Sequence, residues 1–389
     1  MSAMVKGWCP SLARPMPSGD GLLVRVHPPG AMLDRQAALL LAAASARFGN
    51  GLIQLTSRAA IQVRGLSAAT VDRFAAAMAE AGLAEASPRV VWPPLADDDP
   101  GVTGAAAAIA TGIERALFGI NALPDKFAVA VDGGGVLPVG DIGCDILVGC
   151  DDAGCSISLA GAPFAARVTH DGGASAVLRL AQAFLDLARP PLRRMHALVK
   201  RAGANAIFAR AGLHAGAAND KFSPAAAIGW LPYGAQGGGA FGLGLPFGAT
   251  TAEAFAALAA RMGDGSIRLT PWRAIALTGA DARRVGVASS DFIIDADDPR
   301  LGVIACPGSP ACKSAAVPAR TDAGVIAALR LSGPVHVSGC AKGCAHPTRA
   351  PIALVGSAGC YDLVRDGRAD DVPVARGLSL AQAAALVRA

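Results

Sequence analysis

No stretch of the 389 residues approaches the roughly 18 consecutive apolar side chains that a membrane-spanning helix needs. The opening run, Met-Ser-Ala-Met-Val-Lys-Gly-Trp-Cys-Pro, lacks the apolar core of a secretion signal, so a cytoplasmic protein is expected. Charged residues amount to only 17%, and no long basic run occurs although the net charge is +5. The arginines fall singly near strand ends and turns, which suits a small polyanionic ligand better than a nucleic-acid backbone. A nicotinamide fingerprint is also missing. Gly133-Gly134-Gly135 and Gly237-Gly238-Gly239 are not Gly-x-Gly-x-x-Gly leading into a helix. Electrons from NADH are therefore expected to arrive through a separate reductase or a ferredoxin-like protein. The nine cysteines are odd in number, and their spacing suits metal binding in a reducing compartment better than a disulfide framework.

What the chain does have is concentrated between Ile304 and Pro347. Cys306 and Cys312 form one close pair, Cys340 and Cys344 a second, separated by about a helix's worth of chain. Pro307, Gly308, Pro310, Gly339 and Gly343 lie among them and let the backbone wrap closely. Four thiolates gathered from two turns suit a metal centre, and iron–sulfur clusters take four cysteines in this way. A structural zinc site usually shows Cys-x2-Cys pairs instead. Cys144, Cys150 and Cys155 make a looser set that fits no metal spacing; with Cys9 and Cys360 they read as small buried hydrophobes.

The rest of the chain shows a duplication. A strand at Leu22–Val26, a helix over 33–48 ending at Gly49, strands at 52–56 and 60–64, and a helix capped by Ser67 and ending at Gly82 give the order of a ferredoxin-like unit. Gly51-Leu-Ile-Gln-Leu-Thr56-Ser-Arg-Ala-Ala-Ile61 aligns without gaps on Gly265-Ser-Ile-Arg-Leu-Thr270-Pro-Trp-Arg-Ala-Ile275. Before the second copy, Thr250-x-x-Glu253 predicts a capping box for another helix, and Phe241–Leu245 predicts its opening strand. A looser repeat relates Lys126–Gly134 to Pro351–Gly359, each read as a strand followed by a glycine turn. The expected fold is α+β with pseudo-twofold duplication: two ferredoxin-like half-domains, 1–88 and 233–295, each followed by a mixed α/β domain, 89–232 and 296–389.

The duplicated strand–turn–strand, the motif Leu123-Pro124-Asp125-Lys126-Phe127 and the two cysteine pairs together resemble the sulfite/nitrite reductase hemoprotein family over nearly the whole chain. In that family the four cysteines hold a [4Fe–4S] cluster and the last bridges to siroheme iron. The reductases usually carry Lys-Phe-Lys after Leu-Pro-Arg; here the second lysine is Ala128 and the arginine is Asp125. Losing positive charge where a small oxyanion would be reduced weakens a reductase reading. The opening run Gly7-Trp-Cys9-Pro10, with Arg14-Pro-Met16 and Gly19-Asp20-Gly21, is similar instead to the family's oxygen-using branch in aerobic cobalamin synthesis.

That resemblance implies a monooxygenase acting on precorrin-3A and O2, and a monomer is expected, since duplication already supplies two halves within one chain.

 

It also leaves room for a second metal, a mononuclear non-heme iron, for which His336 and His346 beside the second cysteine pair are the least arbitrary ligands. Siroheme is expected only under the alternative, a sulfite or nitrite reductase. A non-catalytic tetrapyrrole carrier or iron–sulfur electron-transfer protein is the rival from another class. Precorrin-3A is edged with acetate and propionate groups, and planar guanidinium groups grip carboxylates well. The candidates for those carboxylates are Arg58, Arg64, Arg89, Lys126 and Arg273, with Arg25 and Lys342 behind them. Arg58 and Arg273 are expected in corresponding turns of the two halves.

Overall fold

The computed structural model describes residues 9–84, 89–217, 227–235, 237–279 and 282–388. Gly7 and Trp8 of the opening motif lie outside the described residues. The chain forms two compact units, Met1–Ala84 with Gly242–Ala389, and Glu85–Phe241. The joins at 88, 232 and 295 expected from the repeats stand as a proposal for where the duplicated segments meet.

In the first unit, one sheet orders its strands Met16–Ser18, Gly21–Val26, Ile61–Leu66, Leu52–Leu55 and Ala249–Thr251. The last of these comes from the second ferredoxin-like half. Reciprocally, Met32–Leu33 from the first half pairs with Ile267–Leu269 in the second half's sheet, Leu33 opposite Ile267. The two halves thus exchange edge strands. Each short strand leads directly into a helix, Arg35–Phe48 or Ala252–Arg261, and the two helices pack on each other. Val24, Val26, Ile53, Ile61 and Val63 are all fully buried, the alternation expected of strands with one face on a core. The helix Val71–Glu80 buries Val71, Phe74 and Met78 as one stripe, each contributing about 2 kcal/mol.

Several local expectations are corrected. The first helix starts at Arg35, with the Asp34 carboxylate accepting from the Ala37 N–H. Ser67 caps nothing: its own N–H donates to Thr70 Oγ1, and the helix begins at Val71. The second copy's cap is Thr251, whose hydroxyl accepts from Ala254 N–H, because Thr250 belongs to the exchanged strand opposite Ile53. After Ala274–Leu277, the described residues hold a short 3-10 turn at 282–284 where the first half has its second helix.

The first unit also contains a sheet ordered Val303–Ala305, Val335–Ser338, Ala350–Ser357, Cys360–Gly367 and Ala375–Leu378. Its first three strands are parallel and the rest antiparallel. The second unit repeats this plan: Val90–Val91, Val129–Asp132 and Ile146–Asp151 are parallel, followed by antiparallel Gly154–Leu159 and Phe164–Val168. Val129–Asp132 is the middle parallel strand, so its counterpart is Val335–Ser338. The alignment of Lys126–Gly134 with Pro351–Gly359 is therefore one strand out of step. Alternating small apolar residues and glycines fit either strand, and only the pairing order tells them apart. The second unit has its own core, in which Phe127 and Phe184 meet at 5.1 Å between ring centroids. Among the described residues no helix is long and apolar enough to cross a membrane.

Candidate iron–sulfur centre

The two cysteine pairs lie on the loops that follow the first two parallel strands of the last sheet, Val303–Ala305 and Val335–Ser338. Loops at the carboxyl ends of parallel strands are where α/β sheets usually bind their ligands. The two loops are laced together. Gly339 N–H donates to Cys306 Sγ at 3.1 Å, Ala316 N–H donates to Gly339 O, and Lys342 Nζ donates to Ser314 Oγ at 2.8 Å. A Cβ on Gly339 would lie 2.6 Å from Ala315 Cβ, and one on Gly308 2.3 Å from Ala319 N. Glycine is therefore the residue that lets these loops close. Burial pushes the Cys306 thiol up, the Gly339 and Gly308 N–H groups oppose that, and Cys312 and Cys340 are near enough to push it up further. Cys344 is exposed, and the other three are half-buried.

The surroundings are basic. Arg25, Gln62 and Gln54 form one row across three neighbouring strands of the first half's sheet, on the face opposite its apolar core. The side-chain amides of Gln62 and Gln54 meet at 2.9 Å, and the Arg25 Nε lies 3.5 Å from the Gln62 amide oxygen. Turned towards Arg320, the Gln54 amide oxygen lies 2.7 and 2.8 Å from that guanidinium's terminal nitrogens. Arg320 is lowered to about 10, first by burial, then by the neighbouring Arg64, with Arg273 adding to the effect and Cys306 opposing it. Its Nε is buried without an acceptor. Arg320 escaped the sequence reading because it sits in the helix Ala319–Ala327, where an arginine looks like ordinary solvated surface.

Two of the arginines singled out from the sequence anchor these loops. Arg64, only 4% exposed, forms a two-pronged ion pair with Asp20 at 2.9 and 3.0 Å. It also donates to Ser18 Oγ and to the carbonyl of Ala311, next to Cys312. Arg273 donates to the carbonyl of Ala345, next to Cys344, at 2.9 Å. Each ferredoxin-like half therefore sends one arginine onto the main chain beside a cysteine. Arg273 has φ +60, as Ala59 has φ +50 in the first half. Ala59 and Arg273 thus match as the alignment has them, and Arg58, which matches Trp272, lies with Arg273 in corresponding turns of the two halves at neighbouring positions. Lys342 joins the two loops as described. In the other unit, Arg89 donates to the carbonyls of Pro124 at 2.9 Å and Leu123 at 3.4 Å, while Lys126 is exposed. Ala128 is buried there, 3% exposed.

His336, in the strand entering the second cysteine loop, is fully buried, and neither ring nitrogen has a hydrogen-bond partner. Burial first, then His346 and Arg273, lower it to about 4, so the ring is neutral. The His346 ring lies edge-on at 5.6 Å, with its Nε2 3.1 Å from Arg349 O and 3.0 Å from Thr348 Oγ1. Among the described residues no three His, Cys, Asp or Glu side chains stand close enough to hold a single metal ion. A four-iron cluster places each thiolate on a different iron, so its ligand sulfurs lie further apart than those around one ion. Four soft donors beside crowded guanidinium groups fit such an anionic group, which would relieve the repulsion that lowers Arg320.

Residues 14–81 match the nitrite/sulfite reductase ferredoxin-like half domain family. The Mycobacterium tuberculosis NirA protein shares the fold, with a TM-score of 0.69 and 19% identity over 92% of this chain and 77% of that one. A precorrin-3B synthase from a Sinorhizobium species is 33% identical over 435 aligned positions, spanning 100% of this chain and 90% of the relative. Identity at that level along the full length shows that the chain belongs to the precorrin-3B synthase family.

Proposed function

We propose that this enzyme is the oxygen-dependent monooxygenase that converts precorrin-3A to precorrin-3B in aerobic cobalamin synthesis. It hydroxylates C20 of the ring, and an acetate side chain closes a γ-lactone. One atom of O2 goes to the ring, and the other leaves as water after taking two electrons and two protons from an external donor. Cys306, Cys312, Cys340 and Cys344 would hold a [4Fe–4S] cluster, which supplies one-electron transfer when bound.

The protein's own residues do the rest. Arg273, Arg320 and Arg64 offset the negative charge of that group, and the Gly339 N–H donates to the Cys306 sulfur. Hydrogen bonds to cluster sulfurs raise the reduction potential by stabilising the more negative state. Arg25 and Arg58 are the candidates in the first half for gripping the ring's acetate and propionate groups, with Lys342 on the second cysteine loop. Arg64 serves the same site indirectly, by fixing Ala311 and through it the first loop.

The observation that carries this reading is the 33% identity along the full chain to a precorrin-3B synthase, in a protein whose Cys306 lies beside buried positive charge. Buried Ala128, where the reductases place a second lysine, removes a cation that sulfite reduction would use. The test is incubation of iron- and sulfide-reconstituted protein with precorrin-3A, an electron donor and 18O2, followed by mass spectrometry. One 18O atom per product molecule is expected. Product formed without 18O, or a preparation that binds siroheme and reduces sulfite, would overturn the assignment.

A further inference from the structure

Cys150 and Cys155, read from the sequence as buried hydrophobes, face each other directly across a β-hairpin in the second unit. The hairpin turns at Asp152-Ala153, so the two cysteines lie just beyond the closing pair Asp151–Gly154. Directly opposed residues on antiparallel strands have Cβ atoms about 4.5–5.5 Å apart, and a disulfide needs about 3.5–4.5 Å. Here the sulfurs are already 3.0 Å apart. Closing that gap needs side-chain rotation and a small approach of the strands, with no change of pairing.

The two thiols differ in their surroundings. Cys155 is fully buried, whereas Cys150 is half-buried and open to small solutes. The Cys155 thiol is lowered, first by its hydrogen bond with Cys150 and then by His170 and Arg167. Cys150 is pushed up, first by the same hydrogen bond and then by burial, with Asp132 and Asp151 adding to it. One sulfur of the pair therefore gives up its proton more readily than the other, a difference that favours attack on an oxidant once the two are in contact. Cys144, on the preceding loop, is different: burial, with help from Asp145, pushes it up to about 11.

The geometry points to a redox modification site in which Cys150 and Cys155 close a reversible cross-strand disulfide, with a peroxide as the oxidant. One sulfur takes an oxygen atom from hydrogen peroxide, giving a sulfenic acid and one water. The second sulfur attacks the oxidised one. The S–S bond forms, the S–O bond breaks, and the oxygen leaves as a second water with the remaining thiol proton. Two thiols lose two electrons, and one peroxide becomes two waters. A dithiol reductant reverses the step by thiol–disulfide exchange. The two cysteines belong to the other compact unit from those assigned to the cluster, and their pairing does not depend on the proposed reaction.

Trypsin cleavage after Lys126 and Arg167 releases one peptide that carries Cys144, Cys150 and Cys155 and no other cysteine. The reconstituted full chain is treated with hydrogen peroxide, quenched with catalase, unfolded in iodoacetamide and digested. The expected peptide carries a single carbamidomethyl group, on Cys144, and is about 2 Da lighter than the same singly labelled peptide with two free thiols, as a disulfide requires. Dithiothreitol before alkylation restores three labels. Three labels after peroxide, a disulfide that includes Cys144, or sulfinic acid at Cys150 without a disulfide would each overturn the proposal. The readout needs no substitution, so misfolding of a variant cannot obscure it.

Discussion

At the scale of single residues, buried charge is where this protein departs most from an ordinary core. Arg64 was read as a ligand for a ring carboxylate, but the structure commits its guanidinium to Asp20, Ser18 and the Ala311 carbonyl. Removing one partner of a buried ion pair leaves the other uncompensated. Arg64→Met is expected to cost about 3 kcal/mol in denaturant unfolding, by the reasoning for broken buried pairs, and to lower iron per chain after reconstitution. Adding Asp20→Asn should recover much of the stability but not the iron, because the Ala311 anchor is still gone. Recovery of both would show that Arg64 acts on the ion pair alone. His27 offers a pH test. Burial first, then Arg25, lower it to about 4 from an ordinary 6.5. As pH falls through 6.5 the unfolded chain takes up the proton while the folded ring does not, so stability drops until pH approaches 4. The loss is on the order of 3 kcal/mol when complete. Urea midpoints measured at about pH 7 and pH 5 should converge in His27→Gln relative to the parent; an unchanged difference would mean that His27 does not carry it.

At the scale of elements, the two mixed α/β sheets share one plan but fasten their loops differently. In the second unit, the loop after the first parallel strand carries Asp99, whose carboxylate accepts from Val136 N–H at 2.7 Å in the loop after the second strand. In the last sheet the corresponding loops carry the four cysteines and close through Gly339. The sequence showed the cysteines and glycines clearly, because few other uses explain them together. It did not show which loop positions correspond, since short apolar strands align in more than one register. Gly339→Ala would set a methyl against Ala315. We expect at least a several-fold loss of iron and acid-labile sulfide per chain, whereas Gly216→Ala, at an exposed position where an added methyl meets nothing within 4 Å, should hold both near the parent level. Full cluster retention in Gly339→Ala would show that the loops can close without this contact.

At the scale of the whole molecule, the exchanged strands make each ferredoxin-like half incomplete alone. Gly242–Ala389 expressed by itself would lack Met32–Leu33 at one sheet edge and would leave Ala249–Thr251 without its partner Leu52–Leu55. We expect it to aggregate or give collapsed amide NMR spectra. Residues 85–241 have their own sheet and core, and should give dispersed spectra when expressed alone. The reverse result would contradict the division into units. By itself, the sequence determined the duplication, the apolar faces and the four clustered cysteines, because periodicity and spacing are properties of the chain. The exchange of edge strands, the loop-anchoring work of Arg64, the charge on Arg320 and the pairing of Cys150 with Cys155 were decided only by the tertiary structure. Each depends on which distant backbone groups end up close enough to share a hydrogen bond or a charge, and linear order does not encode that distance.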